Sequence, residues 1–418
     1  VTADNATKIE EQLKAIDAKI EDLTDEQVAK LDMTRYNAVY AALAAFALPQ
    51  AAHTHCVCGG NGDVNGHTHN NSTAWTAADS LPGTAGSYYL TQSVSSDWTV
   101  PTGEVNLCLN GQTISGKITV GSGATLTLTD CTGTGKLQGS RSGSGVSING
   151  GTFNLYGGTI TGFVNGVEIG SHNDIKTGSS FTMYGGAITG NKADSSGGGG
   201  VFLIGTTNSV VTAPSFTMHG GTISNNTAGA SDGGGGGVYV GVKCSFTMDG
   251  GTITGNKATA TGNISCGHGG GIYSERGVTV GNVKITGNNS TFEGGGIYGK
   301  GAITLTDATV TDNNRYDVYY DGEEKTTPEL TVSGLVQAGY YANYDWKLPI
   351  LVSGALNDDS VIRVGVRDGI KPNAGGSLLI AEPASGVTLR AENFKADAAD
   401  CVTSLGDDGK VYLVPCTH

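Results

Sequence analysis

Cysteine and histidine residues cluster in one short segment of this 418-residue chain. His53-Thr-His55-Cys56-Val-Cys58 is followed by His67-Thr-His69, although the whole chain has only eight histidines and eight cysteines. Imidazole and thiolate groups are the ligands that tetrahedral Zn²⁺ prefers, so this segment predicts a structural zinc site. The candidate ligands are His53, His55, Cys56, Cys58, His67 and His69.

The same segment allows a second interpretation. Cys-x-Cys is tighter than the usual zinc-finger spacing, and a Cys56–Cys58 or other disulfide beside solvent-exposed histidines would use the same residues. A catalytic zinc would also need a general base, and the nearest carboxylate, Asp63, lies in a Gly-Asn-Gly-Asp loop rather than within the cluster. The segment therefore predicts a structural metal or a disulfide, and it disfavours a catalytic metal. How Cys108 and Cys131 relate to each other stays open, because they fall in different registers.

A repeated sequence motif indicates the strands and turns that must position these groups. Phe181-Thr-Met-Tyr-Gly-Gly-Ala-Ile-Thr-Gly-Asn191 returns with few changes over Phe216–Asn226 and Phe246–Asn256. Weaker copies run over residues 153–163, 278–288 and 303–313. Self-similarity at this period predicts a solenoid in which each repeat packs its apolar edge against its neighbours.

Each repeat contains the pattern of three short strands. Phe181 and Met183 alternate with Thr, which is the period of a strand with one buried face. Gly-Gly ends this strand, a second strand carries an Ile, and a third strand such as Val238-Tyr-Val240 follows a variable loop. The pattern predicts a mainly β protein, a parallel β-helix of about eight to ten coils at roughly 25 residues per coil. The recurring Asn should form a hydrogen-bonded ladder at one turn.

The third strand carries an aromatic residue between two inward-facing positions. Stacking of the coils should place Phe202, Tyr239, Tyr273 and Tyr298 in one outward column. Such a column could contact a sugar ring or a protein partner, or its rings could stack on one another and cover the backbone. The variable loops are the second candidate binding surface, because long loops on a rigid scaffold often bind ligands. They cover residues 192–200, 227–237, 257–271 and 289–296.

Composition divides the chain into four segments. Residues 1–52 are Ala-rich with apolar residues three or four apart, which predicts a helical spacer module. Residues 53–95 form the His/Cys-rich connector, and residues 96–325 form the parallel β-helix. Residues 326–418 have fewer glycines and predict a C-terminal β-rich cap or irregular terminal coils.

The charge balance excludes some partners. A net charge of −14 disfavours nucleic acid, whose binding proteins need a basic surface. No apolar run approaches the length of a membrane span, and residues 1–30 lack the pattern of a secretory signal. We therefore expect a segment of a longer secreted protein.

Catalysis on this scaffold would need several carboxylates in one register. Cys266-Gly-His268-Gly contains the Gly-His-Gly element of polygalacturonases, but the neighbouring coils lack the accompanying Asn-Thr-Asp and paired-Asp motifs. Asp249, Asp307 and Asp312 do not share a register. The sequence thus predicts a protein that is not an enzyme, with a polysaccharide lyase or glycoside hydrolase as the alternative.

The Gly-Gly-Gly-[Val/Ile]-Tyr strands and Ile-Thr-Gly-Asn turns resemble the right-handed β-helix repeats of large surface proteins from gut Firmicutes. They are also similar to the repeats of polymorphic outer-membrane adhesins. The connector around Cys56, with Trp75 and Leu81-Pro, resembles the lead-in that such Firmicutes proteins place before the β-helix. The resemblance runs from about residue 50 to the C-terminus. It implies a right-handed coil and a non-catalytic extracellular binding or adhesion module on the bacterial surface. Its implied partner is a host glycoprotein, a host protein such as immunoglobulin, or a polysaccharide.

Overall fold

The structure is a computed structural model. It describes residues 55–56, 75–170, 178–194, 197–205, 212–230, 234–260, 267–321, 329–342, 349–366 and 370–416, with six isolated positions between residues 9 and 39. Those six positions, Leu13 and Val39 among them, are helical. The bounds of the predicted module over residues 1–52 lie outside the described residues.

The described chain is mainly β and winds as a parallel β-helix, as the repeat predicts. Nearly every strand pairs in parallel with the strands one coil before and one coil after it, which creates three faces. The strands of the first face are Thr76–Ala78, Gly86–Leu90, Gly103–Cys108, Ala124–Thr129, Thr152–Leu155, Ser180–Met183, Ser215–Met218, Ser245–Met248, the first halves of Val278–Thr286 and Ile303–Thr311, Leu330–Gly334, Ile350–Leu356 and Leu378–Pro383.

The second and third faces follow the first in each coil. The second face contains Thr113–Ile114, Lys136–Gln138, Thr159–Thr161, Ala187–Thr189, Thr222–Ser224, Thr252–Thr254, the second halves of the two long strands, Gln337–Ala342, Val361–Gly365 and Phe394–Ala396. The third face contains Trp98–Thr99, Ile118–Gly121, Val146–Asn149, Val167–Ile169, Val201–Leu203, Val238–Val240, Ile272–Ser274, Ile297–Gly299 and Val318–Tyr320, and the ends of Gln337–Ala342 and Val361–Gly365 continue it.

The core between the three faces consists of columns of like residues. Strand pairing places Phe181 directly opposite Phe216, and Phe216 opposite Phe246. Their rings stack at centroid distances of 4.7 and 5.0 Å, and each is nearly fully buried. Offset-stacked pairs add about 0.5–1.5 kcal/mol each beyond the burial of apolar area. The repeat therefore stabilises the fold by bringing the same residue to the same place in every coil.

The recurring Asn forms a continuous ladder, which confirms that prediction. The backbone N–H of Asn226 donates to Oδ1 of Asn256 at 3.0 Å, and so does its side-chain Nδ2. The same pair of bonds links Asn191 to Asn226, Asn256 to Asn288 and Asn288 to Asn313. The ladder begins at the N–H of Phe163 and ends at the buried carboxylate of Asp317.

The glycine runs before the third strand pack backbone against backbone. A Cβ on Gly200 would lie only 2.5 Å from the carbonyl oxygen of Gly237 one coil later. A side chain at this position would push the two coils apart, so the close approach requires glycine. These contacts account for part of the unusually high glycine content, 68 residues in the chain.

The corner between the second and third faces changes along the molecule. It is short in the first coils, at residues 115–117, 139–145 and 162–166, and long in the later coils, at residues 190–200, 225–237, 255–271 and 287–296. The long corners pair with one another in a small parallel sheet of their own. Its strands are Lys192–Ala193, Thr227–Ala230, Lys257–Ala260 and Asn289–Ser290.

The C-terminal end of the solenoid closes with antiparallel strands. Parallel coils continue as far as Phe394–Ala396, which a 3₁₀ turn at Ala391–Asn393 precedes. Cys401–Leu405 and Val411–Pro415 then form an antiparallel pair, and the second of them also pairs antiparallel with Leu378–Pro383. Within the described residues, no helix has the length and apolarity needed to cross a bilayer.

Candidate functional site

The four predicted aromatic residues come together in one column on the outer side of the third face. Phe202 and Tyr239 are 5.3 Å apart between ring centroids. Tyr239 and Tyr273, and then Tyr273 and Tyr298, stack at 5.1 Å with rings within 8° of parallel. We call this column the aromatic ladder. It continues beyond the predicted set through Tyr319 and Tyr341.

Residues of the long corner loops pack on part of this ladder. Tyr273 and Tyr298 are only 4% and 3% exposed. The ring of His268, which belongs to a corner loop, lies 4.4 Å from the ring of Tyr298, and Gly197 packs against the ring of Tyr239. Tyr273 and Tyr298 therefore each have another ring on both faces. Phe202 and Tyr239, at the start of the ladder, are half-buried. These contacts favour the second of the two interpretations, in which the rings stack on one another and cover the backbone.

The hydroxyl groups of Tyr273 and Tyr298 form hydrogen bonds with carboxylates. The Tyr273 hydroxyl donates to Oε1 of Glu275 at 2.6 Å, and the Tyr298 hydroxyl donates to Asp321. Burial, followed by the hydrogen bond to the neighbouring carboxylate, raises the pKa of each of these two phenols. Lys300 lies 3.0 Å from Glu275 and neutralises part of the negative charge. Hydrogen bonds at the hydroxyl groups therefore hold these rings in place, in addition to ring stacking.

The outward-facing residues of the third-face strands form a row along the coils, which we call the outer row. Among the described residues, this row is open in the first coils, where the corners are short. The row that becomes the aromatic ladder starts there as Thr99, Thr119, Ser147 and Glu168, and Glu168 is directly followed by Phe202. Two adjoining depressions of about 390 and 520 Å³ lie on and beside this row. Because both are lined by Asp97 and Lys117, we treat them as one groove and call it the polar groove.

Polar side chains line this groove. Ser144 donates to Oε2 of Glu168 at 2.6 Å, and Asp97 accepts the backbone N–H of Lys117 at 2.8 Å. The Lys117 ammonium lies 3.9 Å from the Asp97 carboxylate, and both side chains are substantially exposed. The ring of Phe163 packs between Gly139 and Gly145 and is buried beneath the surface. The groove therefore offers hydroxyl, carboxylate and ammonium groups beside some apolar surface.

The predicted metal segment is described only at His55 and Cys56. His53, Cys58, His67 and His69 lie outside the described residues. His55 approaches two cysteines that the sequence left unassigned, Cys108 and Cys131, and the ligand atoms of these three residues lie within 4.8 Å of one another. The two sulfur atoms are 3.5 Å apart. The cluster therefore joins the connector to two successive coils, and Cys56 is not one of its three members.

The surroundings of this cluster are partly buried and aromatic. Trp75 donates from Nε1 to the His55 carbonyl at 2.9 Å, and the two rings are 4.5 Å apart. Burial lowers the pKa of His55, but hydrogen bonds to Cys131 and to the Cys56 backbone raise it, and the net direction is upward. The hydrogen bond with Cys131, together with burial, raises the pKa of the Cys108 thiol. Two thiols and an imidazole in this arrangement can bind a metal ion, or the thiols can oxidise to a disulfide.

The side chains considered for catalysis make separate structural contacts. The Nδ1 atom of His268 accepts the backbone N–H of Glu293 at 3.2 Å, so one ring nitrogen is used to hold the corner loop. Asp249 pairs with His219 at 2.7 Å, whereas Asp307 accepts the backbone N–H of Leu335 at 2.8 Å. These two carboxylates therefore serve different coils and do not converge on a common position.

Comparisons with known proteins find no relative. No protein-family model, no curated protein and no solved structure matches this chain. The interpretation of its function therefore rests on the residues and contacts described above.

The burial of the aromatic ladder predicts a stability effect for its central ring. We expect Tyr273→Ala to lower the free energy of unfolding by about 3–5 kcal/mol, because truncation of a buried aromatic ring leaves a cavity. Tyr156→Ala is the matched control, since Tyr156 stacks on Tyr184 at 4.4 Å but is only half-buried. Urea unfolding followed by far-ultraviolet circular dichroism measures both. Equal unfolding midpoints for Tyr273→Ala and the wild-type chain would show that the ring is not packed as described.

Proposed function

We propose that this chain is a non-catalytic binding or adhesion module of an extracellular bacterial surface protein. One observation carries the proposal: a stack of paired coils holds variable loops at one corner and a polar groove on the outer side of the third face. Binding residues commonly lie on loops and clefts that a rigid scaffold positions. The partner of such a module is a host glycoprotein, a host protein such as immunoglobulin, or a polysaccharide.

Two further observations support this proposal over the enzyme alternative. Asp249 and Asp307 are engaged in separate local contacts, and His268 holds a loop. A lyase or glycoside hydrolase needs carboxylates or a base converging on one substrate bond. The resemblance of the repeats to surface proteins of gut Firmicutes and to polymorphic outer-membrane adhesins points the same way.

We also propose that the cluster of His55, Cys108 and Cys131 holds a structural Zn²⁺ ion. One imidazole and two thiol groups supply three of the four ligands that a tetrahedral structural zinc takes. Bound zinc would keep both thiols as thiolates, and it would tie the connector to two successive coils. Its role in this proposal is to anchor the start of the solenoid.

Binding without turnover is the expected behaviour of the module. We expect the purified chain to retain ligands from a glycan array or from immobilised host secretions, and to release neither reducing ends nor unsaturated uronides from polysaccharides. Reducing-sugar assays and absorbance at 235 nm on pectin and on neutral polysaccharides measure the second point. Steady product release that scales with protein concentration would contradict the proposal and support the lyase or hydrolase alternative.

The metal proposal predicts a defined stoichiometry. Elemental analysis of the purified chain should find about one equivalent of zinc, and Cys108→Ser and Cys131→Ser should each remove it, because each substitution deletes one thiolate ligand. Cys416→Ser is the matched control, since that cysteine lies near the C-terminal strands. A metal-free protein with a mapped Cys108–Cys131 disulfide would contradict the zinc site.

A further inference from the structure

We propose that the polar groove binds an extended chain of a neutral polysaccharide, with successive sugar residues lying across successive coils. This inference rests on the proposed function, because it names the ligand class and the site of the binding module. It concerns the first coils only. There, Thr99, Thr119, Ser147 and Glu168 face outward between short corners.

The spacing of this outer row suits a polymer. Thr99 is in register with Thr119, Thr119 with Ser147, and Ser147 with Glu168. Neighbouring strands lie about 4.7–4.9 Å apart, so one polar group recurs at that interval along the solenoid axis. This interval is close to the length of one sugar residue in an extended β-linked glycan. A glycan chain parallel to the axis can therefore repeat the same contact in each coil.

The groups in the groove match the hydrogen-bonding capacity of sugars. Each serine or threonine hydroxyl both donates and accepts, as a sugar hydroxyl does, and the Glu168 and Asp97 carboxylates accept from hydroxyl pairs. Lys117 adds a donor at the rim. Polymers of uronic acids fit poorly, because the groove has two carboxylates and the whole chain carries a net charge of −14. These groups therefore favour a neutral glycan over a polymer of uronic acids.

A peptide is a weaker match for this surface. Extended peptides usually bind to sheets by adding a strand to an edge with unpaired backbone groups. On this face the strand Ile118–Gly121 already pairs with Trp98–Thr99 on one side and with Val146–Asn149 on the other. The two aromatic rings that line the groove also offer little contact to the apolar anchors of a peptide, since Phe163 and Trp98 are 1% and 6% exposed.

The groove ends where the aromatic ladder begins. Glu168 is in register with Phe202, and from that coil onward aromatic rings occupy the outer row. A ligand is therefore confined to the first few coils. A tyrosine at an outward position of the first coils can serve to block the groove. The fold accepts it there, because Tyr239 already occupies the equivalent position in a later coil.

Isothermal titration calorimetry with cellohexaose, xylohexaose and mannohexaose tests the proposal, and hexagalacturonate serves as the charged comparison. We expect at least one neutral hexasaccharide to bind the wild-type chain more tightly than hexagalacturonate. Ser147→Tyr should abolish that binding because it fills the groove, whereas Thr182→Tyr, an outward substitution on the first face, should not change it. Glu168→Gln keeps the shape and should weaken binding about tenfold, since a neutral amide oxygen replaces the charged acceptor.

The outcomes separate this inference from the proposed function. Unchanged hexasaccharide affinity in Ser147→Tyr would overturn the groove as the site, while the chain would remain a glycan-binding module. Tighter binding of hexagalacturonate would overturn the neutral class of ligand. If none of the neutral hexasaccharides binds the wild-type chain, the inference fails, and the binding assay on immobilised host secretions described above still decides whether the module binds a protein.

Discussion

The Asn ladder is the interaction on which the rest of this structure depends. Each inner Asn side chain of the ladder accepts two hydrogen bonds from the Asn of the preceding coil, as Asn256 does from Asn226. Its amide donates to a carbonyl in that coil and to the next Asn. A slip of one residue between coils would move every side chain of a strand to the opposite face. Because the ladder is buried, the same slip would also leave these groups without partners. The ladder therefore fixes the register of the later coils.

Features on the outer surface follow from that register. Since like positions stack, one aromatic residue per coil becomes a ladder, and the loops that follow the Asn lie side by side in the small sheet of Thr227–Ala230 and Lys257–Ala260. The first coils are held in a different way. There the buried Asp130 carboxylate accepts the backbone N–H groups of Gly111 and Gly135, both at 2.8 Å. The corners of these coils are short, and the outer row of the third face stays open as the polar groove.

The sequence was sufficient to predict what the repeat controls. The parallel coils, the Asn column and the stacking of Phe202, Tyr239, Tyr273 and Tyr298 all follow from like residues at like positions. The burial of Tyr273 could not be predicted in the same way, because it depends on where His268 and its loop lie in space. The contrast between the short and long corners was visible in the sequence and is the signal that could have revealed the groove.

The proximity of His55 to Cys108 and Cys131 could not be predicted from the spacing of these residues in the sequence. The local clustering of His and Cys favoured ligands within the connector, and the relation of Cys108 to Cys131 stayed open because they fall in different registers. Cys108 lies in the strand Gly103–Cys108, whereas Cys131 lies just beyond the end of the next strand of the same face, Ala124–Thr129. Contact between them and His55 depends on the path by which the connector enters the first coils, which no local pattern encodes.

The most direct test of this account is the stability of Asn256→Ala against that of Asn154→Ala, measured by urea unfolding. Asn256 is fully buried within the ladder, whereas Asn154 faces outward on the first face. We predict that Asn256→Ala lowers the free energy of unfolding by about 3 kcal/mol, because the Asn226 N–H and the Ile223 carbonyl lose their side-chain partner in the interior. Asn154→Ala should change it by less than about 0.5 kcal/mol. Equal stability of the two variants would contradict the claim that the ladder holds the coils in register.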